Sequence, residues 1–227
     1  MQAARRNSMK RLMVCAGIFL IGSFVFAQSA AGGALIRLAG TGSPGQVQSA
    51  IKSGEDVAAR DATGLTPLMS AARDNPNPEV MKVLIAAGAN IEDRDALGYT
   101  PLMWASSINP NPQVVQALLA AGANVLAKSR DGQTSLILSA NNNPNADVLL
   151  MLLAAGARVN EADSSGMTAL MWAAKENPNP KIVTLLLGAG ANGKTVNFNG
   201  KTAFDYAGDN GKLKGTSAYW ALNNAGY

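Results

Sequence analysis

The sequence predicts an all-α solenoid: helix–turn–helix units stacked side by side and joined by extended, hairpin-like loops, about six units counting both ends. Two series of residues carry that expectation. Gly-x-Thr recurs every 34 residues, at 64–66, 98–100, 132–134, 166–168 and 200–202. In phase with it, a glycine closes each apolar run, at Gly54, Gly88, Gly122, Gly156 and Gly190. A fixed period of this length means one supersecondary unit stacked on copies of itself, because a single unit cannot bury its own apolar face. With 48% hydrophobic residues among 227, the chain has the material for such a core.

Residues 1–27 stand outside the array. Arg5, Arg6, Lys10 and Arg11 precede an uncharged apolar run over 12–26, and Val25 and Ala27 place small residues before a cut between Ala27 and Gln28. A basic start, an apolar middle and a small-residue end are the layout of a secretory signal peptide. The apolar run is 15 residues, short of the roughly 20 that a membrane-spanning helix needs. Export to a periplasm or out of the cell is the expectation, with 28–33 as a linker and 34–227 as the repeat domain. The leader carries four of the 19 basic residues and none of the 15 acidic ones, which leaves fifteen against fifteen. That balance points to neither nucleic acid nor an anionic membrane as partner. The single cysteine, Cys15, lies in the leader, so no disulfide framework is expected.

Each unit repeats one grammar. Thr66 is placed to cap a helix that has Pro67 at its first position, where a missing N–H costs nothing. Thr100, Thr134, Thr168 and Thr202 repeat the cap, and the first helix is expected to end near Ala71 and Ala72 and their equivalents. Asn-Pro-Asn-Pro follows at 75–78, 109–112 and 177–180, relaxed to Asn-Pro-Asn-Ala at 143–146. The first proline turns its predecessor out of helical geometry, and the second asparagine caps the next helix. That second helix is apolar almost all round and stops at Ala-Ala-Gly, with glycine in the left-handed conformation. The units fall at about 59–92, 93–126, 127–160 and 161–194, between degenerate end units at 34–58 and 195–227.

The opening Gly-x-Thr-Pro-Leu-x-x-Ala-Ala at 64–72 and the closing Leu-x-x-x-Gly-Ala-Asn at 84–90 closely resemble ankyrin repeats, over roughly 34–227. Two departures stand out. The histidine usual after Thr-Pro-Leu is replaced by Met69, Met103, Ile137, Met171 and Asp205, so the inter-repeat hydrogen bond it makes in that family is expected to be absent. Asn-Pro-Asn-Pro takes the place of the usual Gly-His turn, which accounts for a unit of 34 residues.

The resemblance implies a module that binds another protein along its concave face, without a cofactor and without catalysis. It places partner contacts on the residues flanking each hairpin glycine and on the two that follow Ala-Ala. The candidates are Leu65, Arg73, Leu97, Tyr99 and Arg130, then Asp131, Gln133, Met167, Lys175 and Phe198. Leu65, Leu97, Tyr99, Met167 and Phe198 are apolar where solvent is expected, and such a patch marks an interface. Tyr99, near the middle, is the expected exposed anchor. Trp104, Trp172 and Tyr206 share a position with Ser70 and Leu138. Inter-repeat packing is the first reading of that ring and a partner anchor the second, which keeps Trp104 and Trp172 among the candidates.

Catalytic signals are weak. The stretch from Gly188 to Thr195 spells the phosphate-loop pattern, but in register it is the end of a second helix and the start of a loop. The motif needs a strand before it and a helix after it. There is no histidine to act as base or metal ligand. Glu92, Asp93 and Asp95 are dense enough to suggest a cation, yet lack the spacing of a calcium loop and are expected to be a solvated tip. A monomer that scaffolds or stabilises a periplasmic protein is the leading expectation. An inhibitor of a toxin, or a host-directed effector, is the alternative.

Overall fold

The computed structural model describes residues 33–226, which hold twelve helices. The expected leader and its cut between Ala27 and Gln28 lie outside the described residues. The helices form six antiparallel pairs: α1 (Gly33–Thr41) with α2 (Pro44–Lys52), α3 (Pro67–Asp74) with α4 (Pro78–Ala86), and α5 (Pro101–Ile108) with α6 (Pro112–Ala120). Then come α7 (Ser135–Asn142) with α8 (Ala146–Ala154), α9 (Ala169–Glu176) with α10 (Pro180–Gly188), and α11 (Ala203–Ala207) with α12 (Ser217–Ala225). Odd helices stack on odd and even on even, the odd row more closely. The stack therefore curves with its odd helices on the concave side.

The caps follow the sequence. Thr66, Thr100, Thr134 and Thr168 each accept a hydrogen bond from the backbone N–H three residues on, and Asn77, Asn111, Asn145 and Asn179 from the one two residues on. Gly88 at φ +97° and Gly122 at φ +91° close their helices in the left-handed region. The first helices run further than expected, α3 to Asp74, because the N–H of Asn75 still bonds the carbonyl of Ala71. A leucine from each regular odd helix (Leu68, Leu102, Leu136, Leu170) and one from each regular even helix (Leu84, Leu118, Leu152, Leu186) is buried at the same repeat position along the stack. Each fully buried leucine contributes about 1.5–3 kcal/mol.

Between pairs, the loops form short hairpins that touch their neighbours. The N–H groups of Ala96, Arg130, Ser164 and Phe198 donate to the carbonyls of Thr63, Leu97, Asp131 and Ser165, at 2.8, 3.0, 2.9 and 3.3 Å. One bond per hairpin thus carries a backbone ladder along the concave edge.

A second ladder runs through the interior. It is made by the first asparagine of each Asn-Pro-Asn turn. Asn109 Nδ2 donates to the carbonyls of Ala72 and Asn75 at 2.8 and 3.0 Å, while its Oδ1 accepts from Asn111 N. Asn75, Asn143, Asn177 and Asn210 do the same, each reaching back one unit. Inter-repeat hydrogen bonds are thus carried in this chain by asparagine at the turn. All five amides are buried, and each donates to two backbone carbonyls of the preceding unit. The last rung comes after 33 residues rather than 34, because α11 has only five residues.

Candidate protein-binding face

The candidate residues lie on the hairpin tips and odd helices, but not all of them face solvent. Phe198 at 81% exposure and Leu97 at 47% are open on the concave edge, as the sequence suggests. Arg130 and Asp131 are exposed at the next tip, and Gln133 is half-buried beside them. Ile108, at the end of α5, adds an exposed apolar residue at 48%.

Two of the expected contact residues belong to the core. Leu65 is 5% exposed and packs with Ile36, Ala59, Met69 and Trp104. Met167 is 4% exposed, its sulfur accepting a hydrogen bond from Asn197 Nδ2 at 3.1 Å. At these two hairpins the residue after the glycine is buried, and the loop acid pins its backbone. Asp61 Oδ1 accepts from Leu65 N at 2.9 Å, and Asp163 Oδ1 from Met167 N at 3.0 Å.

The shared aromatic position has a local explanation. Trp104 Nε1 donates to Asp95 Oδ2 at 2.9 Å, and Trp172 Nε1 to Asp163 Oδ2 at 2.8 Å. In the last unit, Asn197 Nδ2 donates to Tyr206 Oη at 2.7 Å. The ring clamps its own hairpin nine residues upstream. Trp104 is buried and serves packing, whereas Trp172 and Tyr206 are half-buried. Asp95 is correspondingly no solvated tip: it is buried, and its carboxylate also accepts from the N–H groups of Leu97 and Tyr99. Its neighbours are engaged too, Asp93 with Arg60 at 2.7 Å and Glu92 with Asn124 N at 2.7 Å.

Tyr99 is half-buried rather than the exposed anchor expected. Its ring meets Trp104 edge-on at 5.2 Å, and its hydroxyl donates to Gln133 Oε1 at 2.7 Å. Burial first, then the charges of Asp131 and Asp95, push its pKa from 10.0 to about 12. The folded state holds this proton more tightly than the unfolded chain, so the contribution is intact below pH 10 and lost as pH rises towards 12. An absorbance titration of the tyrosines should therefore show one group ionising late, moving to the normal range on unfolding; a single transition in the native protein would contradict this burial.

Three basic side chains of the face lie over its aromatic rings. Arg73 bonds Asp74 at 2.8 Å and lies 5.4 Å from the Trp104 ring centroid. Lys175 sits 5.0 Å from the centroid of Trp172, and Lys201 5.5 Å from that of Tyr206. Lysine and ring together form a cation–aromatic surface at the C-terminal end of the concave face, where Lys175 also meets Glu176 at 3.5 Å.

A family model for ankyrin repeats (3 copies) matches residues 35–129, 107–197 and 136–217. The chain belongs to the ankyrin-repeat family. No curated protein matches it. Ankyrin repeats generally mediate binding to other proteins and are non-enzymatic scaffolds. The stretch from Gly188 to Thr195 accords with that: Gly188 ends α10, Gly190 has φ +87°, and no helix starts before Ala203. Lys194→Ala is expected to leave ATP affinity unchanged in calorimetry, whereas micromolar binding abolished by the substitution would restore the phosphate-loop reading. Val196, exposed at the base of the last hairpin, is an apolar surface residue that the sequence reading passed over. It occupies the position of Arg60 and Arg94, whose guanidinium groups bond hairpin carbonyls.

Proposed function

We propose that this ankyrin domain is a non-enzymatic adaptor that binds one partner protein through its concave face, between Leu97 and Phe198. The observation that carries the reading is the exposure of Leu97, Ile108 and Phe198 on that face, with Trp172 half-buried and Lys175 exposed between them. Apolar residues held locally by a hydrogen-bonded hairpin or helix lose little freedom on binding, which favours them as anchors. The domain works as an exported monomer that scaffolds or stabilises a periplasmic protein. The signal-like leader over 1–27 supports export, and the balanced charge of the remainder argues against nucleic acid.

The test begins with in-cell cross-linking to recover the partner, followed by calorimetric titration. Phe198→Ala is expected to weaken binding about 30-fold, the equivalent of roughly 2 kcal/mol for an interface hot spot. Lys82→Ala, on the convex side, should be silent. The reverse pattern would move the interface to the even helices. Export is checked by intact mass of envelope protein, which should begin at Gln28.

A further inference from the structure

The stack is not equally strong at every joint. Three observations single out the interface between the α5–α6 pair and the α7–α8 pair. Ser106, Ser135 and Ser139 are each 0% exposed, yet their hydroxyl oxygens have no hydrogen-bond partner. Other units carry alanine at the position of Ser139 (Ala71, Ala105, Ala173, Ala207), and alanine at that of Ser106 (Ala72, Ala140, Ala174). Buried hydroxyls without partners cost their full desolvation, where alanine would cost nothing.

The asparagine ladder is also longest here. Asn143 reaches the carbonyls of Ser106 and Asn109 at 3.1 and 3.4 Å, whereas Asn109, one joint earlier, reaches its own at 2.8 and 3.0 Å. A companion rung, made by neither Asn77 nor Asn145 among the described residues, is missing here as well. Asn111 Nδ2 bonds the Pro76 carbonyl and Asn179 Nδ2 the Pro144 carbonyl, both at 2.7 Å. Asn145, where the turn relaxes to Asn-Pro-Asn-Ala, makes no such bond to Pro110 among the described residues. What remains across this joint includes side-chain bonds at the concave rim, Tyr99 to Gln133 at 2.7 Å and Asn142 to Ser107 at 2.8 Å.

We propose that this joint is a hinge, at which the solenoid flexes as two halves, 33–126 and 127–226. A solenoid is held by nearest-neighbour interfaces, so its motion concentrates where one interface is weakest. The rim bonds act as the pivot, and the interior, with its unpartnered hydroxyls and stretched rungs, is the side that opens. Flexing there changes the curvature of the concave face while both halves stay folded.

The experiment measures distances between spin labels on the convex face of the full chain, with Cys15→Ser as background. Three pairs each span one joint: Lys82→Cys with Gln116→Cys, Gln116→Cys with Leu150→Cys, and Leu150→Cys with Thr184→Cys. All four positions are exposed. The middle pair should give a distance distribution broader than either neighbour. Ser106→Ala with Ser139→Ala should narrow it to its neighbours' width. Hydrogen exchange on the same variant should slow more in α5 and α7 than in α3 and α9. A middle pair no broader than the others, or one unchanged by the double substitution, overturns the hinge. So does exchange that slows evenly along the stack.

Discussion

Replacing Asn109 by alanine is expected to destabilise the domain by about 3–5 kcal/mol, the sum of two or three buried backbone groups left without partners. The side chain serves the carbonyls of Ala72 and Asn75 and the N–H of Asn111 at once, and none of its atoms meets solvent. The cavity left behind adds to the cost. Urea unfolding followed by circular dichroism measures the loss. Asn109→Asp is informative beside it: the carboxylate can still accept from Asn111 but cannot donate to the two carbonyls, so it should fare no better than alanine. Asn90→Ala, at an exposed loop position, is the control and should cost under about 0.5 kcal/mol as an ordinary surface change. An Asn109→Ala loss as small as the control's would mean the ladder is a by-product of close packing rather than its cause.

Asp95→Ala is expected to cost about 3 kcal/mol, since it strands the N–H groups of Leu97 and Tyr99 and the indole of Trp104 together. The effect should show first in the hairpin. Leu97 and Tyr99 take their positions from this carboxylate, and Trp104 fluorescence should shift as its indole N–H loses its acceptor. Asp163→Ala should behave alike through Trp172, which is bonded in the same way. Ser129→Ala should cost less, because Ser129 holds its hairpin through one bond to Gln133 N at 3.1 Å, and the residue nine positions on is Leu138, which has nothing to donate. If all three cost the same, the ring-to-loop bond contributes little and the aromatic position is ordinary packing.

Much of the fold was legible because its signals are local. Thr66 before Pro67, Asn77 before Pro78 and glycine after Ala-Ala mark helix ends through backbone chemistry that needs no distant partner. The interior ladder was not legible. Asn75 and Asn77 look equivalent in Asn-Pro-Asn-Pro, but Asn77 caps its helix while Asn75 reaches back a whole unit, a contact that exists only once units are stacked. The binding face divides for the same reason. Exposure at Leu97 and Phe198 follows from the hairpin tip itself. Leu65 and Met167 were misplaced because Asp61 and Asp163 fold the loop back and turn the residue after glycine into the core. Trp104 and Tyr99 support each other and the loop, which no spacing rule reveals without the side-chain geometry.

The most direct test of concave binding places a photo-cross-linking amino acid at one position at a time in living cells. At Phe198 and at Leu97 it should trap the same partner, giving one shared higher-mass band. At Lys82, on the convex side, it should give none. A partner trapped at Lys82 and absent at Phe198 and Leu97 would contradict the concave face as the binding surface.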